Sequence, residues 1–330
     1  MNGDATVRVG VIGRGIGASV VAPAFEETDG CTVVDVVSPR DDDAVTALCA
    51  RDDVDLISVH SPPFLHLDHV RRAIDRGHAV LCDKPFGVNA VEAEEMCDLA
   101  RDAGILNFVN YEFRYHPVRS KLHALVLDGA VGTVEQVEWT AFAGIWRTVS
   151  RPYGWVFDAS RGGGWVRAYA SHSIDFFRFT FGEIVDASAG LRTTITERRD
   201  AEGRVHQCTA EDGFTAWMQT DNGAWITIDT TATAAVDRPA RVTVVGSDGV
   251  LEVLSDDVHE VGGRILLHTQ LGTSEVFRID PWGAHHYTEM LPWLKLVRDA
   301  VREGTASAGM AMFADGLACA RVMDQLTGLR

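Results

Sequence analysis

The stretch that most constrains the fold is Val7–Ile12 followed by Gly13-Arg14-Gly15-Ile16-Gly17-Ala18. A short β-branched run meets closely spaced glycines and then a helical pattern that continues to Glu27. Strand, glycine turn and helix in this order form the opening of a parallel α/β unit that holds a dinucleotide. Gly13 permits the tight turn, Gly15 lets backbone approach a pyrophosphate, and Ala18 allows close helix–strand packing. The helix N-terminus supplies N–H groups and the positive end of a dipole for the phosphates.

The strand that follows, Thr32–Val37, ends in Ser38-Pro39-Arg40. An acid at this place would hold a ribose 2′-hydroxyl; a hydroxyl and a guanidinium suit a 2′-phosphate, so NADP(H) is favoured over NAD(H). The acids Asp41, Asp42 and Asp43 either oppose that phosphate or start the next helix. One short helical segment, 43–50, separates this strand from the next, Asp55–His60, so this side of the sheet is expected to be trimmed. Ser61-Pro62-Pro63 breaks the chain, and Leu65–Asp75 reads as a helix with His66 in its first turn. A buried run, Ala79–Cys82, then delivers Asp83-Lys84-Pro85 to a strand tip, where open α/β sheets place their ligand crevice. A lysine desolvated there can exchange protons near neutrality. A helix over Ala90–Ala103 stopped by Gly104, and a strand over Leu106–Val109, complete a parallel, doubly wound sheet. Asn110-Tyr111-Glu112-Phe113-Arg114-Tyr115-His116-Pro117 follows that last strand.

The 330 residues are enough for two domains, expected at 1–120 and 121–330, with the C-terminal helix packing back toward the first. Apolar residues make up 46% and charged residues 23%, as in soluble globular proteins. A net charge of −17 argues against nucleic acid or an anionic membrane as partner. No apolar run approaches the ~20 residues of a spanning helix, and the N-terminus lacks the regions of a signal peptide. The six cysteines are scattered without metal-ligand spacing, as expected of free thiols in a reducing, cytoplasmic setting. No metal site is expected; His285 and His286 are adjacent, and neighbouring helical positions diverge.

In the second half the pattern shifts to longer alternating strands. Asp221-Asn222-Gly223 and Asp248-Gly249 mark hairpins. The expectation is an α+β domain with a large, mainly antiparallel open sheet covered on one face by helices. Trp217, Trp225, Ile226 and Ile228 are assigned to its outer face, available for a homo-dimer or homo-tetramer. Trp146, Trp155 and Trp165 flank Gly162-Gly163-Gly164; they either pack in the core or offer flat faces to a ring-shaped substrate.

These pieces together resemble the glucose–fructose oxidoreductase / inositol dehydrogenase / rhizopine-catabolism (Gfo/Idh/MocA) family of NAD(P)-dependent oxidoreductases. The resemblance is carried by the glycine turn, Ser61-Pro62 with His66, Asp83-Lys84-Pro85 for the family's Glu-Lys-Pro, Arg114 with Pro117, the three glycines, and His172-Ser173-Ile174-Asp175. It implies that Gly13, Arg14, Gly15 and Ile16 contact the dinucleotide and that Ser38 and Arg40 meet the adenosine ribose. Ser61, Pro62 and His66 would line the path to the nicotinamide, with Asp83, Lys84 and Arg114 also in the cofactor site. Lys84 would be the catalytic lysine and His172 the histidine near the substrate hydroxyl. One departure stands out: Ala168 occupies the position of the family's aspartate, four residues before His172. Asp175 and Tyr169 are the candidates to stand in for it.

Two readings follow. One is an NAD(P)-dependent oxidoreductase that interconverts a secondary alcohol and a ketone on a sugar, cyclitol or related polyol, with Lys84 and His172 as acid/base groups. The other is a dinucleotide-binding sensor of the same fold without turnover, for which Ala168 speaks and against which Lys84 and His172 speak.

Overall fold

A computed structural model describes residues 6–148, 151–256, 262–280 and 287–329; His285 and His286 lie outside the described residues. The chain forms two units, Met1–Tyr115 with Glu289–Arg321, and His116–Thr288 with Val322–Arg330.

The first unit carries β1 (Val7–Ile12), α1 (Ala22–Glu26), β2 (Cys31–Val37), α2 (Asp42–Cys49), β3 (Leu56–Val59), α3 (His66–Ile74), β4 (Ala79–Cys82), α4 (Ala90–Ala103) and β5 (Asn107–Val109). Its strands are all parallel, in the order β2-β1-β3-β4-β5. Every residue of β3 is buried, as a strand covered on both faces requires. Short stop signals set the helices: Asn89 caps α4 by accepting from Glu92 N at 2.9 Å, and Gly104 ends it in the left-handed region at φ 64°. With a single helix between β2 and β3, the chain turns back over β1, and the order of strands reverses between β1 and β3. Ligands of such sheets bind outside the carboxyl ends of the strands at that reversal.

The second unit opens with α5 (Pro117–Leu127) and β6 (Val134–Phe142), and continues through α6 (Ser171–Phe181) and β7 (Ile184–Arg192). A two-stranded ribbon, β8 (Glu197–Arg199) with β9 (Val205–Gln207), precedes β10 (Gly213–Thr220), β11 (Trp225–Thr231), β12 (Arg238–Gly246), β13 (Val250–Ser255), β14 (Gly263–Thr269) and β15 (Gly272–Ile279). The large sheet runs β15-β14-β13-β12-β6-β11-β10-β7. Its neighbours are antiparallel except β11 and β6, which are parallel, so the sheet is mixed. The Asn222-Gly223 hairpin forms as expected, Gly223 at φ 93°, and Asn222 Nδ2 donates to Phe181 O at 2.7 Å, fixing the end of α6.

One expectation fails here. Ile226 and Ile228 are buried, Ile226 opposite Val137 and Met218 and Ile228 opposite Trp139 on the neighbouring strands, whereas Trp225 is 47% exposed. Side chains alternate across a strand, so Trp225 cannot share a face with Ile226. Trp217 and Trp225 do share the outer face, their rings 5.3 Å apart.

The chain closes with α7 (Tyr287–Glu303) and α8 (Phe313–Thr327). Within the first unit, Trp293 of α7 stacks on Tyr115 at 5.2 Å, and Phe313 of α8 packs on Phe86 at 4.5 Å. No helix among the described residues is long and apolar enough to cross a membrane.

Candidate functional site

At the carboxyl edge of the parallel sheet, the residues just past β1, β3, β4 and β5 are Gly13, His60, Asp83 and Asn110. The sheet ladder continues through them: His60 N donates to Ile12 O, Asp83 N to Val59 O and Asn110 N to Cys82 O, each at 2.8 Å. Side chains join the same row. His60 Nδ1 lies 3.2 Å from Asp83 Oδ2, and His60 Nε2 lies 2.8 Å from Ser58 Oγ. Asp83 Oδ1 accepts from Lys84 N at 2.9 Å and from Asn110 Nδ2 at 3.3 Å. Burial alone would raise the Asp83 carboxyl, but His60, Lys84 and His66 outweigh it and hold the group well below the usual carboxylate range. Asp83 is therefore an anion that fixes the backbone of Lys84, whose side chain is half-buried at the tip of β4. The loop then turns through a cis Lys84–Pro85 bond, and Phe86 is buried against Phe313.

The glycine turn sits against His60. A Cβ on Gly13 would fall 2.7 Å from His60 O, and one on Gly17 would fall 3.0 Å from His60 Cβ and 3.2 Å from Val11 Cγ1. Close packing of helix on strand thus belongs to Gly17 rather than Ala18, which is half-buried. Arg14, Gly15 and Ile16 are exposed, and a Cβ on Gly15 would meet nothing within 4 Å, leaving its backbone open to a ligand. The helix begins as a wide π turn over Gly17–Val21. Such turns are rare and often mark functional sites. A dinucleotide fits here: open backbone at a helix start, at the reversal of strand order.

Past β2, Ser38 Oγ accepts from Arg40 N at 3.3 Å, and Arg40 is exposed. The acids beside it have structural work: Asp41 caps α2 by accepting from Ala44 N at 3.0 Å, and Asp42 pairs with Arg72 at 2.6 Å.

Ser61 is held from both ends by histidines of α3. His66 Nε2 donates to Ser61 O at 2.7 Å, and His69 Nδ1 bonds Ser61 Oγ at 3.0 Å. Burial pushes both imidazoles down to about 4, so both are neutral. His66 is fully buried; it bears on the site through the Ser61 carbonyl, beside Pro62. Arg114 is likewise buried, with its guanidinium 3.1 Å from Asp315 Oδ1 and donating to Gly309 O at 3.1 Å.

In the second unit the three glycines lead into one helix, a π turn over Val166–Ala170 continuing as α6. A Cβ on Gly163 would fall 2.4 Å from Trp155 O, and one on Gly164 2.3 Å from the Glu211 carboxylate. Glu211 accepts from Val166 N at 2.9 Å at the helix start, and its burial raises its carboxyl. Tyr169, His172 and Asp175 follow on this helix; His172 and Asp175 are buried. Tyr169 OH accepts from Trp139 Nε1 at 2.9 Å, and its ring stacks on Trp165 at 4.8 Å. Trp146 and Trp165 are core residues, packed edge to face at 5.1 Å, with Trp165 Nε1 donating to Thr230 Oγ1 at 2.9 Å. Trp155 is half-buried.

Sequence reasoning passed over His60, Asn110, Glu112 and Glu211. His60 had a signal: a histidine ending an apolar strand just before a Ser-Pro break. Asn110 and Glu112 stand in the polar run after β5. Glu112 is buried, and that burial pushes its carboxyl up to about 8, against the opposing charge of Lys84. Among the described residues no cluster of His, Cys, Asp and Glu could hold a metal ion.

Comparison with known proteins gives the chain a family. Residues 7–111 match the model of an oxidoreductase family with an NAD-binding Rossmann fold, and residues 120–252 match the GFO/IDH/MocA C-terminal domain. An oxidoreductase of Synechocystis sp. is 27% identical over 82% of this chain and 78% of its own. The dTDP-3,4-didehydro-2,6-dideoxy-alpha-D-glucose 3-reductase of Actinomadura kijaniata is 30% identical over 48% of this chain, which spans 51% of the reductase. Levoglucosan dehydrogenase, solved in complex with NADH and L-sorbose, superposes with a TM-score of 0.86 at 18% identity, covering 98% of this chain and 96% of that one. At that identity the likeness speaks for the fold; the two family matches, which follow one another over most of the sequence, make this chain a member of the GFO/IDH/MocA family of oxidoreductases.

Proposed function

We propose that the protein interconverts a secondary alcohol and a ketone on a sugar, cyclitol or related polyol, with Lys84 and His172 exchanging the hydroxyl proton and NADP(H) preferred over NAD(H). The observation that carries this reading is Lys84 itself, fixed at the tip of β4 by an anionic Asp83 that His60 and Asn110 hold in place. A general acid must be positioned before its proton affinity matters. The sugar reading draws support from relatives whose names specify sugars, a levoglucosan dehydrogenase and a dTDP-sugar 3-reductase.

Gly13, Arg14, Gly15 and Ile16 would hold the pyrophosphate, and Ser61 and Pro62 would flank the nicotinamide. When bound, the cofactor supplies or accepts the hydride. Lys84 Nζ gives the proton to the carbonyl oxygen in reduction and takes it from the hydroxyl in oxidation, or holds that oxygen while His172, the second acid/base group, donates or accepts the same proton. Ser38 and Arg40 would take the ribose 2′-phosphate, a role supported by the engagement of Asp41 and Asp42 elsewhere. The outer sheet face around Trp217 and Trp225 would join copies of the chain into a dimer or tetramer, and the six free cysteines suit a reducing, cytoplasmic setting.

The test is direct. NADPH is mixed with a panel of keto-sugars and cyclic ketones and nicotinamide absorbance is followed, for the native protein and for Lys84→Ala. Turnover that falls by ~10²-fold or more in the variant is expected. Near-normal turnover would remove Lys84 from the mechanism. Tight cofactor binding without turnover on any substrate would favour the sensor, the reading that Ala168 suggests.

A further inference from the structure

Glu112 opens the turn after β5, and only 2% of it is exposed. β5 pairs with β4 through Cys82 and Val109. Lys84, two residues past Cys82, and Glu112, three past Val109, therefore leave neighbouring strands at the same sheet edge. Asn110 ties the two loops together, donating from its backbone to Cys82 O at 2.8 Å and from Nδ2 to Asp83 Oδ1 at 3.3 Å.

Resting on the dehydrogenase reading, we propose that Glu112 is a positioning residue that exchanges a proton with Lys84 Nζ, so that the lysine's reservoir lies behind it in the first unit. In reduction an Nζ–H bond of Lys84 breaks as the O–H bond of the alcohol forms. The Glu112 O–H bond then breaks as the Nζ–H bond re-forms, and the carboxylate left behind regains a proton from solvent. Oxidation runs the same steps backwards. The pair moves protons only, and the hydride remains the cofactor's part.

The groups around Glu112 suit this work. Burial raises its carboxyl to about 8; Lys84 opposes the rise most strongly, Asp83 adds to it and His60 opposes it. Glu112 is thus a neutral acid at neutral pH, able to refill a lysine that has just given up its proton. A carboxyl with an ordinary value would already be ionised and could not.

Two measurements test the proposal. Infrared difference spectra of the protein without cofactor should contain a protonated-carboxyl band that disappears as pH rises through about 8. The band should be lost in Glu112→Gln, and in Lys84→Met it should titrate at higher pH, since a neighbouring cation is gone. In turnover, Glu112→Gln should lower kcat by ~10²-fold, leave KM nearly unchanged and erase the inflection near pH 8, with partial recovery in Glu112→Asp. An infrared band that survives Glu112→Gln, or one that ignores Lys84→Met, would overturn the pair. So would a Glu112→Gln enzyme with full kcat and an unaltered pH profile. Absence of turnover in the native protein would instead count against the dehydrogenase reading, and the infrared titration would still decide whether Glu112 and Lys84 are coupled.

Discussion

His60 Nδ1 stands 3.2 Å from Asp83 Oδ2, which makes the tips of β3 and β4 one electrostatic unit. Asp83 also accepts from Lys84 N and Asn110 Nδ2, so two donors and the His60 ring gather around one carboxylate. Asp83→Ala removes the acceptor from Lys84 N and Asn110 Nδ2 and the carboxylate from beside His60. Each orphaned donor costs up to ~1–3 kcal/mol where water does not reach it. Urea unfolding should show a loss of roughly 3 kcal/mol, with Asp83→Glu falling between the variant and the native protein because its longer arm displaces His60. A variant as stable as the native protein would mean that water replaces Asp83 at no cost.

Gly316 of α8 matters to the same loop from below. A Cβ there would fall 2.6 Å from Phe86 Cδ1 and 2.8 Å from Val109 Cγ2, and both side chains are fully buried. Helix propensity favours Ala over Gly by ~1 kcal/mol, but overpacking a closed core costs ~1–3 kcal/mol. The clash wins. Gly316→Ala should lower the unfolding midpoint, and turnover should fall with it because Phe86 is two residues from Lys84. Gly104→Ala, where no atom lies within 4 Å but φ is 64°, serves as a control for backbone strain alone.

The parallel sheet was legible because its signals are local: a glycine turn, apolar runs and helix stops, each within a few residues. In the second half the Asn222-Gly223 and Asp248-Gly249 turns likewise announced the hairpins β10–β11 and β12–β13. What alternation could not reveal without counting parity was the inner placement of Ile226 and Ile228. The site was legible only where one residue type carries the chemistry, as at Lys84. The Ser58–His60–Asp83–Asn110 row unites residues from three strands, and nothing in the sequence places those tips side by side. Burial was equally hidden. His66 stands in the sequence only as a first-turn helix residue near the strand tips, and nothing there announces that it is fully buried with Nε2 on the Ser61 carbonyl.

The two histidines on Ser61 give the first unit a defined acid sensitivity. His66 and His69 are each depressed to about 4 from an ordinary 6.5, so the unfolded chain binds more protons between those values. Their contribution is full above pH 6.5 and is lost as pH falls through about 4. At 1.36 kcal/mol per pKa unit, each is worth at most ~3 kcal/mol. Unfolding free energy measured from pH 7 to pH 4 should fall steeply in the native protein and more gently in His69→Gln, which can still hydrogen-bond Ser61 Oγ but does not titrate. Parallel slopes would show that His69 is not neutral in the fold.

Arg40 offers the sharpest test of cofactor choice. It is exposed beside Ser38 at the end of β2, and two acids that could neutralise it are engaged elsewhere, Asp41 as the cap of α2 and Asp42 with Arg72. A guanidinium on a phosphate forms charge-assisted hydrogen bonds, and losing one such contact costs about 1.4 kcal/mol or more, a tenfold change in affinity. Arg40→Ala should therefore weaken NADPH binding by about tenfold or more while leaving NADH within about twofold, read by fluorescence titration of the two cofactors in parallel. Raising salt should weaken NADPH in the native protein and have little effect in the variant, since the contact is exposed and screened. Equal losses for both cofactors would place Arg40 on the shared diphosphate or adenine instead, and no loss for either would leave the 2′-phosphate without a protein partner at this strand end.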